Sequence, residues 1–249
     1  ITGTIKTFDF TSFIGMALTE EGDVWTWGYN RNDLHEIGNG TTTDTYVTVP
    51  VKIGFGGQKI TQLAAGHNHV LAIDTNGDVW MWGKQWGGGT LGPYSTPTKI
   101  LSGKNIVKVF SSYFTLYALD ETGGVWVSGQ NNQGQFGDGT TTSSSTWKEV
   151  PYFSNRGITV EKLICMAYGT FALTSDGYYC WGDNREGELG LGTNTVVTTP
   201  TKFTAIPDTV MLNCGAFTGY AVGSDSKFYT WGRNTYGELG NGSSGTNIN

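Results

Sequence analysis

The sequence predicts an all-β chain, a β-propeller of five four-stranded antiparallel blades or a five-repeat arc of a larger propeller. Three observations predict it. First, Gly22-Asp23-Val24-Trp25-Thr26-Trp27-Gly28 returns as Gly77-Asp78-Val79-Trp80-Met81-Trp82-Gly83, and weaker copies end at Gly129, Gly182 and Gly232. The steps are 55, 46, 53 and 50 residues, a period of propeller repeats rather than of helical solenoids. Second, every copy carries a β-hairpin signature. Third, no segment shows an apolar 3.6-residue periodicity, so helices are expected to be few.

The elements of one copy follow in order. An apolar strand holds a shared Ala (Ala17, Ala72, Ala118, Ala172, Ala221). A two-residue turn comes next, Glu21-Gly22, Asn76-Gly77, Thr122-Gly123, Asp176-Gly177 or Asp225-Ser226. Gly in second place suits a type I′ turn, where positive φ penalises a Cβ. The aromatic strand then ends at the repeat-marking Gly. A polar loop resolves into Gly-x-Gly, as in Gly38-Asn39-Gly40, Gly137-Asp138-Gly139, Gly190-Leu191-Gly192 and Gly240-Asn241-Gly242. A Pro-containing strand (Val49-Pro50-Val51-Lys52-Ile53, Thr96-Pro97-Thr98-Lys99-Ile100, Thr199-Pro200-Thr201-Lys202-Phe203) belongs at a sheet border, because Pro gives no N–H to a ladder. A further strand, such as Lys59-Ile60-Thr61-Gln62-Leu63 or Asn105-Ile106-Val107-Lys108-Val109, completes the unit. Units this small bury their faces by packing on one another around an axis.

Composition narrows the function. Glycine is 38 of 249 residues, and its fixed repeat positions make this turn chemistry rather than disorder. Seven of the nine Trp lie in the repeated aromatic strand and read as packing between blades; Trp86 and Trp147 fall outside it. A formal charge of −6 with no Lys or Arg run argues against a nucleic-acid partner. No apolar stretch is long enough to insert into a membrane. Three cysteines, Cys165, Cys180 and Cys214, make no disulfide framework and read as small buried thiols. Compartment is not legible, although low charge and the Thr/Ser loop 140–145 suit an extracellular or virion surface.

The best copies read Trp181-Gly182-Asp183-Asn184-Arg185-Glu186-Gly187-Glu188-Leu189-Gly190-Leu191-Gly192 and Trp231-Gly232-Arg233-Asn234-Thr235-Tyr236-Gly237-Glu238-Leu239-Gly240-Asn241-Gly242. This pattern resembles the regulator-of-chromosome-condensation repeat, and the resemblance covers essentially the whole chain as one domain, 1–249. It implies a rigid disc whose loops hold partners. Founding nuclear members of that family exchange nucleotide on a small GTPase and bind chromatin, and bacterial relatives include secreted β-lactamase inhibitors. This chain departs from the family in its five copies instead of seven, its acidic charge, its lack of a basic tail, Ser128 in place of Trp, and a shortened copy-two loop around Trp86. Residues 1–4 are expected to complete the last blade and close a five-bladed ring; otherwise the chain is an arc.

No cofactor, metal or catalytic set is expected. His67-Asn68-His69 has ligand-like i, i+2 spacing, but His69 stands where the family repeat often carries His, and no third ligand is identifiable. Glu188 and Glu238 share a repeat position, and no His pairs by spacing with a nucleophile, so the chain reads as a non-enzyme. Specificity belongs to loop residues that vary between copies. Directly after the marker Gly these are Tyr29, Lys84, Gln130, Asp183 and Arg233, and slightly later Arg31, Trp86, Asn132, Arg185 and Tyr236. Tyr, Trp and Arg are hot-spot types, expected to converge on one rim. The sequence thus predicts a protein-binding scaffold; a glycan-binding adhesin and guanine-nucleotide exchange on a small GTPase are the alternatives.

Overall fold

The computed structural model describes residues 1–85, 91–206 and 209–248. Backbone contacts divide the chain into two compact units, residues 1–130 with 143–148 and residues 131–142 with 149–249. The first holds β1 (Ile5–Phe10), β2 (Ile14–Thr19), β3 (Val24–Asn30) and β4 (Thr45–Ile53) as one sheet. A second sheet comprises β5 (Ile60–Ala65), β6 (His69–Asp74), β7 (Val79–Gln85) and β8 (Leu91–Leu101), and a third β9 (Ile106–Ser111), β10 (Thr115–Asp120), β11 (Val125–Gly129) and β12 (Ser144–Val150). After the short helix α1 (Pro151–Ser154), the second unit holds β13 (Val160–Cys165), β14 (Gly169–Thr174), β15 (Gly177–Gly182) and β16 (Val197–Lys202). Its other sheet is three-stranded, β17 (Met211–Cys214), β18 (Thr218–Val222) and β19 (Phe228–Gly232). Every sheet runs in chain order, and the Pro-containing strands β4, β8 and β16 are borders as expected.

The sheet is offset from the sequence repeat. The strand assigned to the end of each unit, around 59–63 and 105–109, instead pairs with the Ala strand that follows it, β5 with β6 and β9 with β10. Only residues 66–68 and 112–114 separate those partners, and so short a connection favours an antiparallel neighbour. Residues 1–4 likewise do not complete the last sheet. The Thr4 carbonyl accepts the Glu20 N–H at 2.8 Å, β1 pairs with β2, and Ile248 stands beside Gly232.

Turn type also differs from expectation. Gly22, Gly77 and Gly123 have φ of 79°, 76° and 83°, while Glu21, Asn76 and Thr122 are absent from the positive-φ residues. Each Gly N–H bonds the carbonyl three residues back, from Thr19, Asp74 and Asp120. The Gly is therefore the fourth residue of a common turn followed by a bulge, not the second centre of a type I′ turn. Ser226 occupies the same conformation at φ 61° without being Gly.

The Ala strands are the cores of their sheets: β2 and β6 are buried along their whole length. The two aromatic positions of the next strand have different duties. The first is tied to its own hairpin, with the Trp80 and Trp126 indole N–H groups donating to Asp74 and Asp120 at 2.9 Å. Tyr179 and Tyr229 hydroxyls donate to Asp176 and Asp225 at 2.8 and 2.9 Å. Copy one has Thr19 in place of that Asp, and the buried Trp25 indole N–H is left without a partner.

The second aromatic packs on the loop of the preceding repeat. A Cβ on Gly38 would lie 2.6 Å from Trp82, one on Gly137 3.0 Å from Trp181, and one on Gly190 2.8 Å from Trp231. The Trp181 and Trp231 indoles also donate to the carbonyls of Gln135 and Glu188, at 2.8 and 2.9 Å. Phe55, Phe153 and Phe203 flank the same rings. These contacts make the expected packing between blades.

Candidate loop face for a protein partner

The marker Gly fixes the position of the candidate residues. Gly28, Gly83, Gly129, Gly182 and Gly232 all have φ between 79° and 119°. A Cβ on any of them would collide with the carbonyl oxygen of Phe13, Asn68, Phe114, Tyr168 or Phe217 respectively. Only Gly lets the aromatic strand pass so close to the turn joining the first two strands of its sheet. The next residue bonds that same carbonyl: the N–H groups of Tyr29, Lys84, Gln130, Asp183 and Arg233 donate over 2.9–3.0 Å. The five positions are thus structurally equivalent.

A buried amide then holds each loop. The Asn30 side chain accepts the Ile37 N–H and donates to the carbonyls of Thr41 and Thr43. Asn131, Asn184 and Asn234 repeat this, accepting from Phe136, Leu189 and Leu239 and donating to Thr140, Thr193 and Ser243. In copy two Gln85 stands there, accepts the Leu91 N–H and donates to the Phe114 carbonyl. A second acceptor sits at the Glu of Gly-Glu-Leu-Gly. Gln135, Glu188 and Glu238 each receive the N–H two residues earlier, over 2.7–2.8 Å.

In the first unit these loops present a continuous row. The Arg31 guanidinium lies 3.9 Å over the Phe13 ring, pairs with Glu36 at 3.1 Å and donates to Asn68 Oδ1 at 2.6 Å. Tyr29 stacks on Tyr46 with centroids 4.7 Å apart, meets Phe13 edge-on and donates its hydroxyl to Asp44. His67 continues the row against Tyr113 and Phe114, at 5.2 and 5.8 Å. Burial, then the nearby Arg31 charge, lowers the His67 pKa, so its ring adds no cation at neutral pH. Lys84 is half-buried, and the Gln130 side-chain oxygen is buried without a hydrogen bond. Trp86 lies outside the described residues.

The second unit presents a smaller group. Arg233 lies 4.5 Å over Phe217 and pairs with Glu238 at 3.0 Å, and Phe217 meets Tyr168 at 6.1 Å. Arg185 is exposed and grips Asp183 through Nε and a terminal nitrogen at 2.8 and 2.7 Å. Tyr236 is 84% exposed, and Asn132 is exposed while accepting from Gln135.

Sequence reasoning missed the aromatic partners of these loops. Phe13, Phe114, Tyr168 and Phe217 each stand four residues before the shared Ala, with Asn68 at the same offset in copy two. That offset was the available signal.

The expected structural role of His69 has a physical basis: it is buried, its Nε2 lies 2.7 Å from Ser111 Oγ, and burial depresses its pKa to about 3. His67 faces different partners, so the i, i+2 pair does not share one environment. Among the described residues no group of three or more His, Cys, Asp or Glu could hold a metal ion, and no helix is long and apolar enough to cross a membrane.

Sheets of a repeated Trp-Gly strand, stitched by an indole to the preceding Gly-x-Gly loop, define a β-propeller of repeat type. The chain belongs to the RCC1-like domain family, whose model matches residues 2–249. It is 33% identical over 213 residues to the ultraviolet-B receptor UVR8 of Arabidopsis thaliana, a match covering 80% of this chain and 46% of the receptor. Against the X-linked retinitis pigmentosa GTPase regulator of Canis lupus familiaris it is 32% identical over 163 residues, 63% of this chain and 16% of the regulator. Among solved structures it resembles Prp20p from Saccharomyces cerevisiae, with a TM-score of 0.73 and 28% identity over 92% of this chain and 57% of that one. That structure is described together with the binding of Prp20p to Gsp1p and histones. The chain spans about half the length of the receptor and of Prp20p.

Proposed function

We propose that this protein is a non-enzymatic scaffold that binds another protein through the loops after the marker Gly and the turns beside them, with residues 1–249 acting as one domain. The observation that carries the reading is the row Tyr46, Tyr29, Phe13, Arg31, His67 and Tyr113 in the first unit. It combines aromatic area with a guanidinium already oriented by Glu36 and Asn68, the residue types that dominate binding energy at interfaces. Loops tied by buried amides lose little freedom on binding, which favours affinity. The family's protein-binding members support the same reading, and the similar proteins give no support to a glycan-binding adhesin or to an extracellular placement.

The test is capture of partners from the source organism with crosslinking mass spectrometry, comparing the native chain with Tyr46→Ala/Tyr113→Ala/Tyr236→Ala. All three side chains are exposed. Loss of the captured protein at unchanged melting temperature supports the scaffold; undiminished capture by the triple variant refutes it. A second reading, action on a small GTPase, is favoured by the similarity to the GTPase regulator. Accelerated release of labelled guanine nucleotide from a small GTPase would select it.

A further inference from the structure

In the first sheet, the hairpin turn before β3 and the chain leaving β4 border a cavity of 210 Å³. It lies at the start of β3, at the other end of that strand from Tyr29. Drug-sized ligands fill about 300–1,000 Å³, so this volume suits one side chain or one small acid. Part of the lining is apolar: Val24, Ile53 and Phe55, each no more than 5% exposed. Phe55 to Gln58 form a tight turn, with the Gln58 N–H bonding the Phe55 carbonyl at 3.2 Å and Gly56 and Gly57 at φ 63° and 88°. Positive φ at both centres is the type I′ pattern, which glycine adopts without strain. No heavy atom lies within 4 Å of a Cβ built on Gly54 or Gly57, so nothing crowds this side of the cavity.

The rest of the lining carries an unbalanced charge. Asp23 is held between Lys52 and Lys59, at 2.6 and 3.0 Å. In copies two and four a turn Asp meets one strand Lys, Asp78 with Lys99 and Asp176 with Lys202. The counterpart of Lys59 in copy two is Asn105, which donates to Glu121 instead. Copy one therefore has one ammonium more than its carboxylate can neutralise. Glu21, the neighbouring acid of the turn, does not line the cavity; a Cβ on Gly3 would lie 2.6 Å from its Oε2. Gln58 also lines the cavity, and its Oε1 accepts from Asn76 at 2.9 Å, which leaves the amide N–H groups of Gln58 as donors.

We infer that this cavity is a carboxylate-binding site, taking either the acidic side chain of a partner protein or a small free aliphatic acid. The carboxylate joins Asp23 as a second anion on Lys52 and Lys59 and accepts from the Gln58 amide. Its methylene stem lies against Ile53 and Phe55. One added negative charge makes the cluster neutral, whereas a phosphate dianion beside Asp23 would leave it negative. Because Asp23 already orients both ammonium groups, little side-chain freedom is lost on binding. This inference does not rest on the loop-face reading, because it uses the opposite end of β3 and different residues.

The experiment titrates the whole isotope-labelled chain with butyrate and, separately, with the peptide acetyl-Gly-Glu-Gly-amide, following backbone amides by NMR. Saturable shifts centred on residues 22–24 and 52–59 are expected with at least one probe. Tighter binding of butyrate assigns the site to a free acid, and tighter binding of the peptide assigns it to an acidic side chain. Lys59→Gln is expected to weaken the better probe about threefold, the size of a partly exposed ion pair. Asp23→Asn, which removes the resident anion, is expected to strengthen it about threefold, a gain that damage to the fold would not produce. Gly54→Leu, where a Cβ meets no atom within 4 Å, is expected to fill the cavity and abolish binding at an unchanged melting temperature. No saturable shift with either probe, undiminished binding in Lys59→Gln, no gain in Asp23→Asn, or tighter binding of inorganic phosphate overturns the inference.

Discussion

Replacing Glu188 by Gln should make the protein more stable at pH 8 and leave it nearly unchanged at pH 4.5. Glu188 is 1% exposed, and burial, followed by the negative charges of Asp183 and Glu186, raises its pKa to about 7. The sister loops answer the same carboxylate with a cation five residues earlier, Arg31 for Glu36 and Arg233 for Glu238. Copy four has Asp183 at that position, and Arg185 is committed to Asp183 instead. Between the ordinary carboxylate value of 4.5 and about 7 the folded state keeps a proton that the unfolded chain has released. Stability therefore falls as pH rises through this window and levels off above it. At 1.36 kcal/mol per pKa unit the full loss is about 3 kcal/mol. Gln removes the ionisation while keeping the acceptor, as Gln135 shows by accepting the Gln133 N–H at 2.8 Å in the same place. The assay is urea unfolding of both proteins from pH 4.5 to 8.5. A native slope that flattens in the variant supports the reasoning; equal midpoints at pH 8, or a slope that survives in Glu188→Gln, refute it.

Trp80→Phe and Trp126→Phe should each cost about 1 kcal/mol by removing the indole donor from buried Asp74 and half-buried Asp120, which keep their backbone N–H partners, whereas Trp25→Phe, whose indole N–H has no partner, should be near neutral in thermal melts. Ser226→Gly should raise stability by about 0.5–1 kcal/mol, because the serine is held at φ 61° where the equivalent turn positions carry Gly. Its reversible unfolding midpoint would show this. The His69 ring should stay neutral from pH 5 to 8, giving proton resonances that do not titrate, since burial holds its pKa near 3.

Strand content was legible because aromatic and apolar runs recur with turn residues between them, and period alone excluded a helical array. The blade boundary was less legible. A repeat can be cut anywhere in sequence, and the three-residue turn at 66–68, which decides that β5 belongs with β6, contains no Gly-Asn or Asn-Gly mark. Turn type was misread because Gly at positive φ serves both a type I′ centre and a bulge, and only the hydrogen bond of Gly22 to Thr19 separates them. For the site, the variable residues after the marker Gly were found as positions, and their common hydrogen bond to the preceding turn shows why they are equivalent. The Phe13 to Phe217 series went unread because it precedes an apolar strand and resembles core. Asn30 and its equivalents were visible as motif letters, but the loop they tie closed spans 9 to 13 residues and cannot be inferred from spacing.

The contact loops of copies one, three and four are each finished by an indole that the chain supplies only in the next repeat, 46 residues later for Gln135 and 43 for Glu188. The array consequently has a direction: a substitution at Trp181 or Trp231 is felt one repeat upstream, in the loop on which the indole packs. Where copy three has Ser128 instead of Trp, the copy-two loop has also shortened, so plug and socket have gone together. A single repeat cannot be transplanted or deleted cleanly; the smallest exchangeable piece is a loop together with its successor's indole, and engineering a new specificity means moving both.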